Sequence, residues 1–231
     1  MDAETATTLQ DTPKRGIPGW LRRRRAWAAG LIILAAAGAG AAIWARMQAP
    51  VLQGAVVTPP APTYDFLLRD QRNEMIRLSG LRGKAIALTF LYANCPDVCP
   101  LIANKMHEAY LQLGATAPRV AFLAVSVDPN GDTPRAVQRF LATHRVEGEL
   151  HYLTGSFAEL RPVWAHYYIG SDAKEVNPQA AAASAAPPGL VGHTAIFYVL
   201  DPRGNLRVFL PGNFDPKDLA TDLKILTAEA H

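Results

Sequence analysis

Two eight-residue runs, Ala85–Tyr92 (AIALTFLY) and Val120–Val127 (VAFLAVSV), hold no charge and almost no polar side chain, and they restrict the folds open to this chain. Strands of that character are buried on both faces, so they belong inside a sheet covered above and below. Between them Leu101, Ile102, Met106, Ala109, Tyr110 and Leu113 recur at helical spacing, and Gly114 stops the helix. After the second run, Thr133-Pro134 opens another helix with a capping hydroxyl and a first-turn proline; its apolar positions are Val137, Phe140 and Leu141. Tyr152–Leu153 is a brief strand. Ser156 and Glu159 then form a capping box for a helix through Val163 and Trp164.

The flanks complete the pattern. Tyr64–Leu68 and Met75–Leu78 read as a hairpin around a polar turn, and Ala195–Leu200 with Leu206–Leu210 as another around Asp201-Pro202-Arg203-Gly204-Asn205. Asp215-Pro216 caps a last helix carrying Leu219, Leu223, Ile225 and Leu226. The series β-β-β-α-β-α-β-α-β-β-α predicts an α/β domain, a mixed sheet with helices on both faces. In such sheets the site lies beyond the carboxyl ends of the central strands.

The N-terminal quarter is of another kind. Lys14, Arg15 and Arg22–Arg25 precede an uncharged stretch from Ala26 to Ala45. At ~1.5 Å per residue, about 20 helical residues cross a hydrocarbon core of roughly 30 Å. Trp27 and Trp44 stand near its ends, where indoles favour the interface, and basic residues before the span hold the N-terminus in the cytoplasm. The apolar core is too long for an ordinary cleaved signal, and Ile43-Trp44-Ala45 is a poor cleavage site. Asp2, Glu4 and Asp11 argue against a transit peptide. A twin-Arg export signal finds no support in the residues after the arginines. The expected organisation is a tail at 1–25, a single-pass signal anchor at 26–45 and a Pro-rich spacer at 46–62. The exported domain then fills 63–231, with an Ala/Pro-rich inserted loop at 177–189. A net charge of +3 gives no argument for a nucleic-acid partner.

The chain has two cysteines, Cys95 and Cys99, four apart at the junction between the first buried strand and its helix. A helix beginning near Cys99 turns its positive end toward that thiol and favours thiolate, the form that attacks disulfides and binds metals. Three chemistries fit. A structural disulfide closing so short a loop contributes little. Thiol–disulfide exchange is the second, although such enzymes usually carry two residues between the cysteines, not three. The third is a soft-metal site: two thiolates and an imidazole suit Cu(I), whereas zinc wants a fourth ligand. His193 is the candidate third ligand, because it leads into a strand expected beside the central one. His107, His144, His151, His166 and His231 are weaker candidates, and Met106 falls on the apolar face of its helix.

KAIALTFLYANCPDVCP at 84–100, AVSVDPNGDTP at 124–134 and GHTAIFYVLDPRGNL at 192–206 together resemble the Sco/SenC family, in order and over nearly all of the exported part. The Cys-Pro-Asp-Val-Cys-Pro string is the most specific of the three. The resemblance implies a thioredoxin-like fold and one copper ion, Cu(I) or Cu(II), on Cys95, Cys99 and His193. It also implies a metallochaperone role in assembling the binuclear copper centre of cytochrome c oxidase subunit II, by handing over copper or by reducing that subunit's cysteines.

Such a chaperone is not an enzyme. The rival is a membrane-tethered thiol–disulfide oxidoreductase using Cys95 and Cys99, and a peroxidase fits less well because no arginine lies close to Cys95 in sequence. Expected partners are subunit II, other copper chaperones or thioredoxin-like reductants. The expected place is a bacterial inner membrane, with the C-terminal domain on the periplasmic side.

Overall fold

The computed structural model describes residues 27, 35–40, 44, 51–169 and 196–229. The chain divides into two compact units, Met1–Ala49 and Pro50–His231. In the first, the described residues are helical and those with assigned burial are exposed. Among the described residues no helix is long and apolar enough to cross a membrane. The anchor expected at 26–45 falls mostly outside them, and the insert at 177–189 wholly so.

The second unit is built on a six-stranded sheet. Its strands are β1 (Ala55–Pro62), β4 (Ala85–Leu91), β5 (Val120–Ser126), β6 (Leu150–Leu153), β7 (Ile196–Leu200) and β8 (Asn205–Pro211), in the order β1-β8-β7-β4-β5-β6. A separate hairpin pairs β2 (Leu67–Arg69) with β3 (Met75–Arg77). The helices are α1 (Val98–Leu113), α2 (Pro134–His144), α3 (Phe157–His166) and α4 (Pro216–Ala228). β4, β5 and β6 run parallel, while β7 and β8 return antiparallel beside β4. From β2 onward this is the series expected from the sequence.

The two apolar runs are buried at every position, and their period of two sorts them between two cores. Ala85, Ala87 and Leu91 of β4, with Val120, Phe122 and Ala124 of β5, face a core closed by α1, α2 and α4 through Ile102, Met106, Phe140 and Leu223. Ile86, Leu88, Phe90, Leu123 and Val125 face the other, closed by α3 and the hairpin through Leu160, Trp164 and Leu68. The expected caps form: Thr133 accepts the N–H of Ala136, Ser156 and Glu159 complete their capping box, and Asp215 accepts the N–H of Lys217. Gly114 ends α1 at φ 56°, where a side chain would strain the backbone.

One segment departs from expectation. Half of the Pro-rich stretch assigned to a spacer is β1, paired antiparallel with β8 as Ala55↔Phe209 and Pro62↔Asn205, its register shifting between Val56 and Ala61. Pro59 and Pro60 lie inside that shift, where the ladder needs no N–H from them. The segment is fastened ahead of the strand too. Asp222 on α4 accepts the N–H of Gln53 at 2.7 Å, and a Cβ on Gly54 would stand 2.3 Å from Val208 Cγ1. The sequence disguised this strand because proline-rich, uncharged composition is shared by spacers and edge strands.

Candidate metal centre

At the carboxyl end of β4 the chain turns sharply, with the Cys95 N–H donating to the Tyr92 carbonyl at 3.2 Å. α1 starts at Val98, and its N-cap Asp97 contributes no side-chain hydrogen bond. A cysteine fills that role: the N–H of Cys99, in the first turn, donates to Cys95 Sγ at 3.5 Å. Both cysteines are free thiols, 8% and 3% exposed, packed into the core beneath α1.

Their electrostatics differ. Burial works against ionising Cys95, but the N–H groups of Cys99 and Asp97, the Cys99 thiol and the Tyr92 hydroxyl act on its sulfur and hold it below the ordinary thiol range. Burial pushes the Cys99 thiol up to about 12, with negative charge on Cys95 and Asp132 adding to the rise. The Tyr92 hydroxyl is raised in turn, first through its hydrogen bond to Cys95. The sequence had assigned the favourable helix end to Cys99. The structure gives it to Cys95, because the backbone donors of the first turn point back at the preceding loop.

The strand ends behind the pair are tied by a buried aspartate. Asp132 accepts the Ala93 N–H at 2.6 Å on one oxygen, and the hydroxyls of Ser126 (2.5 Å) and Tyr152 (2.9 Å) on the other. Burial raises its carboxyl above the usual range despite these donors. Asn94 Nδ2 donates to the Gly131 carbonyl at 3.0 Å, a second tie between the same two loops. Sequence reasoning missed Asp132 and Tyr92. The available signal was Asp132 lying just ahead of the Thr133-Pro134 cap, where it reads as part of the helix start.

His193 lies outside the described residues. The strand it leads into begins at Ile196, whose carbonyl accepts the Thr89 hydroxyl at 3.1 Å, so β7 opens beside the cysteine end of β4. Among the described residues no cluster of three or more His, Cys, Asp or Glu could hold a metal. The other described histidines have separate partners: His107 with Glu149 (2.9 Å), His144 with Asn104 (3.0 Å), His151 with Asp70 (3.1 Å), and His166 with the Pro162 carbonyl (2.8 Å). His231 is also outside the described residues, and Met106 is core, 2% exposed. Two free thiols, one in the loop ahead of α1 and one in its first turn, supply soft donors for a metal such as Cu(I), or the two halves of a disulfide.

A mixed sheet in this order, with helices on both faces and a dithiol where the central strand meets its helix, is a thioredoxin-like domain. The SCO1/SenC family model matches residues 58–228, and the chain belongs to that family. It is similar to Protein sco1 of Schizosaccharomyces pombe, 26% identical over 157 residues, covering 67% of this chain but 57% of that protein. Among solved structures it is similar to Bradyrhizobium japonicum ScoI with copper bound, at TM-score 0.56 and 27% identity, covering 72% of this chain and 99% of that one. BsSco, described as a member of the Sco family of cytochrome c oxidase assembly proteins, has the same fold at TM-score 0.58 and 22% identity, over 77% of this chain and 98% of its own.

Proposed function

We propose that this chain is a copper-binding metallochaperone for cytochrome c oxidase, serving the binuclear copper centre of subunit II. The observation that carries the reading is the pair of buried free thiols, linked through the Cys99 N–H, in a SCO1/SenC domain. Cys95, Cys99 and His193 are its ligands: two thiolates and an imidazole make a soft, low-coordinate set that suits Cu(I). The copper bound by Bradyrhizobium japonicum ScoI supports the choice of metal. Residues 26–45 anchor the chain in a bacterial inner membrane and leave the domain on the periplasmic side, within reach of subunit II and of copper-donating or reducing partners.

Copper titration of the full-length protein tests this. The reduced protein should bind one copper, the oxidised protein none, and Cys95→Ser, Cys99→Ser and His193→Ala should each weaken binding strongly. Undiminished binding by the oxidised protein places the metal elsewhere and overturns the reading.

A second reading, thiol–disulfide exchange on subunit II or other exported proteins, draws on the difference between the thiols. Cys95 is held low and Cys99 high, as an attacking and a resolving sulfur would be. The disulfide switch identified in BsSco, a neighbour of the same fold, supports this second reading. His193 separates the readings, since exchange needs no imidazole ligand. His193→Ala cells that build active oxidase at limiting copper, beside Cys95→Ser cells that do not, would favour exchange.

A further inference from the structure

Asp132 is 5% exposed, and a carboxylate so buried is costly unless donors surround it. Its three donors come from three places: Ala93 in the cysteine loop, Ser126 at the end of β5, and Tyr152 on β6. Its position just ahead of α2 suggests a capping duty, but Thr133 takes that role by accepting the Ala136 N–H. The carboxylate is instead turned inward, where one of its oxygens holds the loop two residues before Cys95. Asp128 keeps the opposing loop in shape by accepting the Gly131 N–H at 2.9 Å, and the Gly131 carbonyl meets Asn94.

We propose that Asp132 is a positioning residue for the dithiol, clamping the Ala93–Cys95 turn onto the ends of β5 and β6 so that Cys95 is fixed beside Cys99 before it meets metal or closes a disulfide. It makes no hydrogen bond to either sulfur. It acts through the Ala93 N–H, by lowering the ordering still required when the two sulfurs are brought into one ring or onto one ion. The assignment rests on Cys95 and Cys99 being the working pair.

The test compares full-length wild type, Asp132→Ala, Asp132→Asn and Tyr152→Phe. Two quantities are read: the dithiol–disulfide equilibrium against glutathione without metal, and Cu(I) affinity by competition with a chelator. Asp132→Ala should lower both constants about 10-fold, the scale seen when a group that orients a ligand is removed. Asp132→Asn keeps a carbonyl for the Ala93 N–H and should stay within about twofold of wild type, as should Tyr152→Phe, which leaves that bond intact. Unchanged constants in Asp132→Ala overturn the proposal. So does an Asn variant as impaired as Ala, which would make charge the operative property. Should Asp132→Ala not fold, amide exchange at Ala93 in wild type decides: strong protection supports the clamp, and exchange at an unstructured rate overturns it. A wild type that binds no copper would sink the copper reading and leave Asp132 to be judged on the disulfide alone.

Discussion

A sulfur with several N–H and O–H donors ionises more readily than one buried more deeply with fewer, and Cys95 and Cys99 divide along that line. Iodoacetamide at neutral pH should therefore modify Cys95 of the reduced, metal-free protein first, with a pH profile that turns upward below the ordinary thiol range. Mass spectrometry after partial reaction checks this, and equal labelling of the two would contradict the assignment. Cys99 also ties stability to pH. Its folded value is raised, so its contribution is fully present below the ordinary thiol value of 9.0 and is lost as pH rises through about 12. Denaturant midpoints of the reduced protein should fall in that alkaline window, and the fall should shrink in Cys99→Ala. The cysteine pair was legible because spacing and a strand-to-helix junction are local properties. Asp132 was not, because its bond to Ala93 spans 39 positions and no local pattern records it.

Elements whose ends carry their own chemistry were legible for a related reason. Ser156 with Glu159, Thr133 with Pro134, and Gly114 each state where a helix begins or stops, and each does so in the structure. Ser156→Ala removes the hydroxyl that accepts the Glu159 N–H and should cost about 1 kcal/mol in urea denaturation. β1 carries no such signal, since neither alternation nor punctuation marks Ala55–Pro62 as a strand. Its attachment is sharp in three dimensions. Gly54→Ala would drive a methyl carbon to 2.3 Å from Val208 Cγ1 and 2.5 Å from the Phe209 carbonyl. That variant should lose about 1–3 kcal/mol by denaturant titration, with amide protection falling first along β1. A Gly54→Ala protein as stable as wild type would show that β1 is not held where it lies.

For the whole molecule, the anchor proposed at 26–45, with the basic cluster before it, predicts a topology that biochemistry can read directly. A reporter active only outside the cytoplasm, fused after His231, should be active, and the full-length protein should stay in the membrane fraction. Release of a soluble form starting near residue 46 would refute the anchor. The strand added by the Pro-rich stretch has a consequence for how copies of the protein behave when crowded. An open sheet invites a neighbour to add a rung, and long-lived fibres grow that way. Here the last rung on one side carries Pro59 and Pro60, which have no N–H to offer a newcomer. On the other side β6 is four residues long, and Thr154 just past it is already bridged to Arg69 of the hairpin. Among the described residues neither side offers a long free template, so the prolines that disguise β1 in the sequence also blunt that edge of the sheet against a second copy.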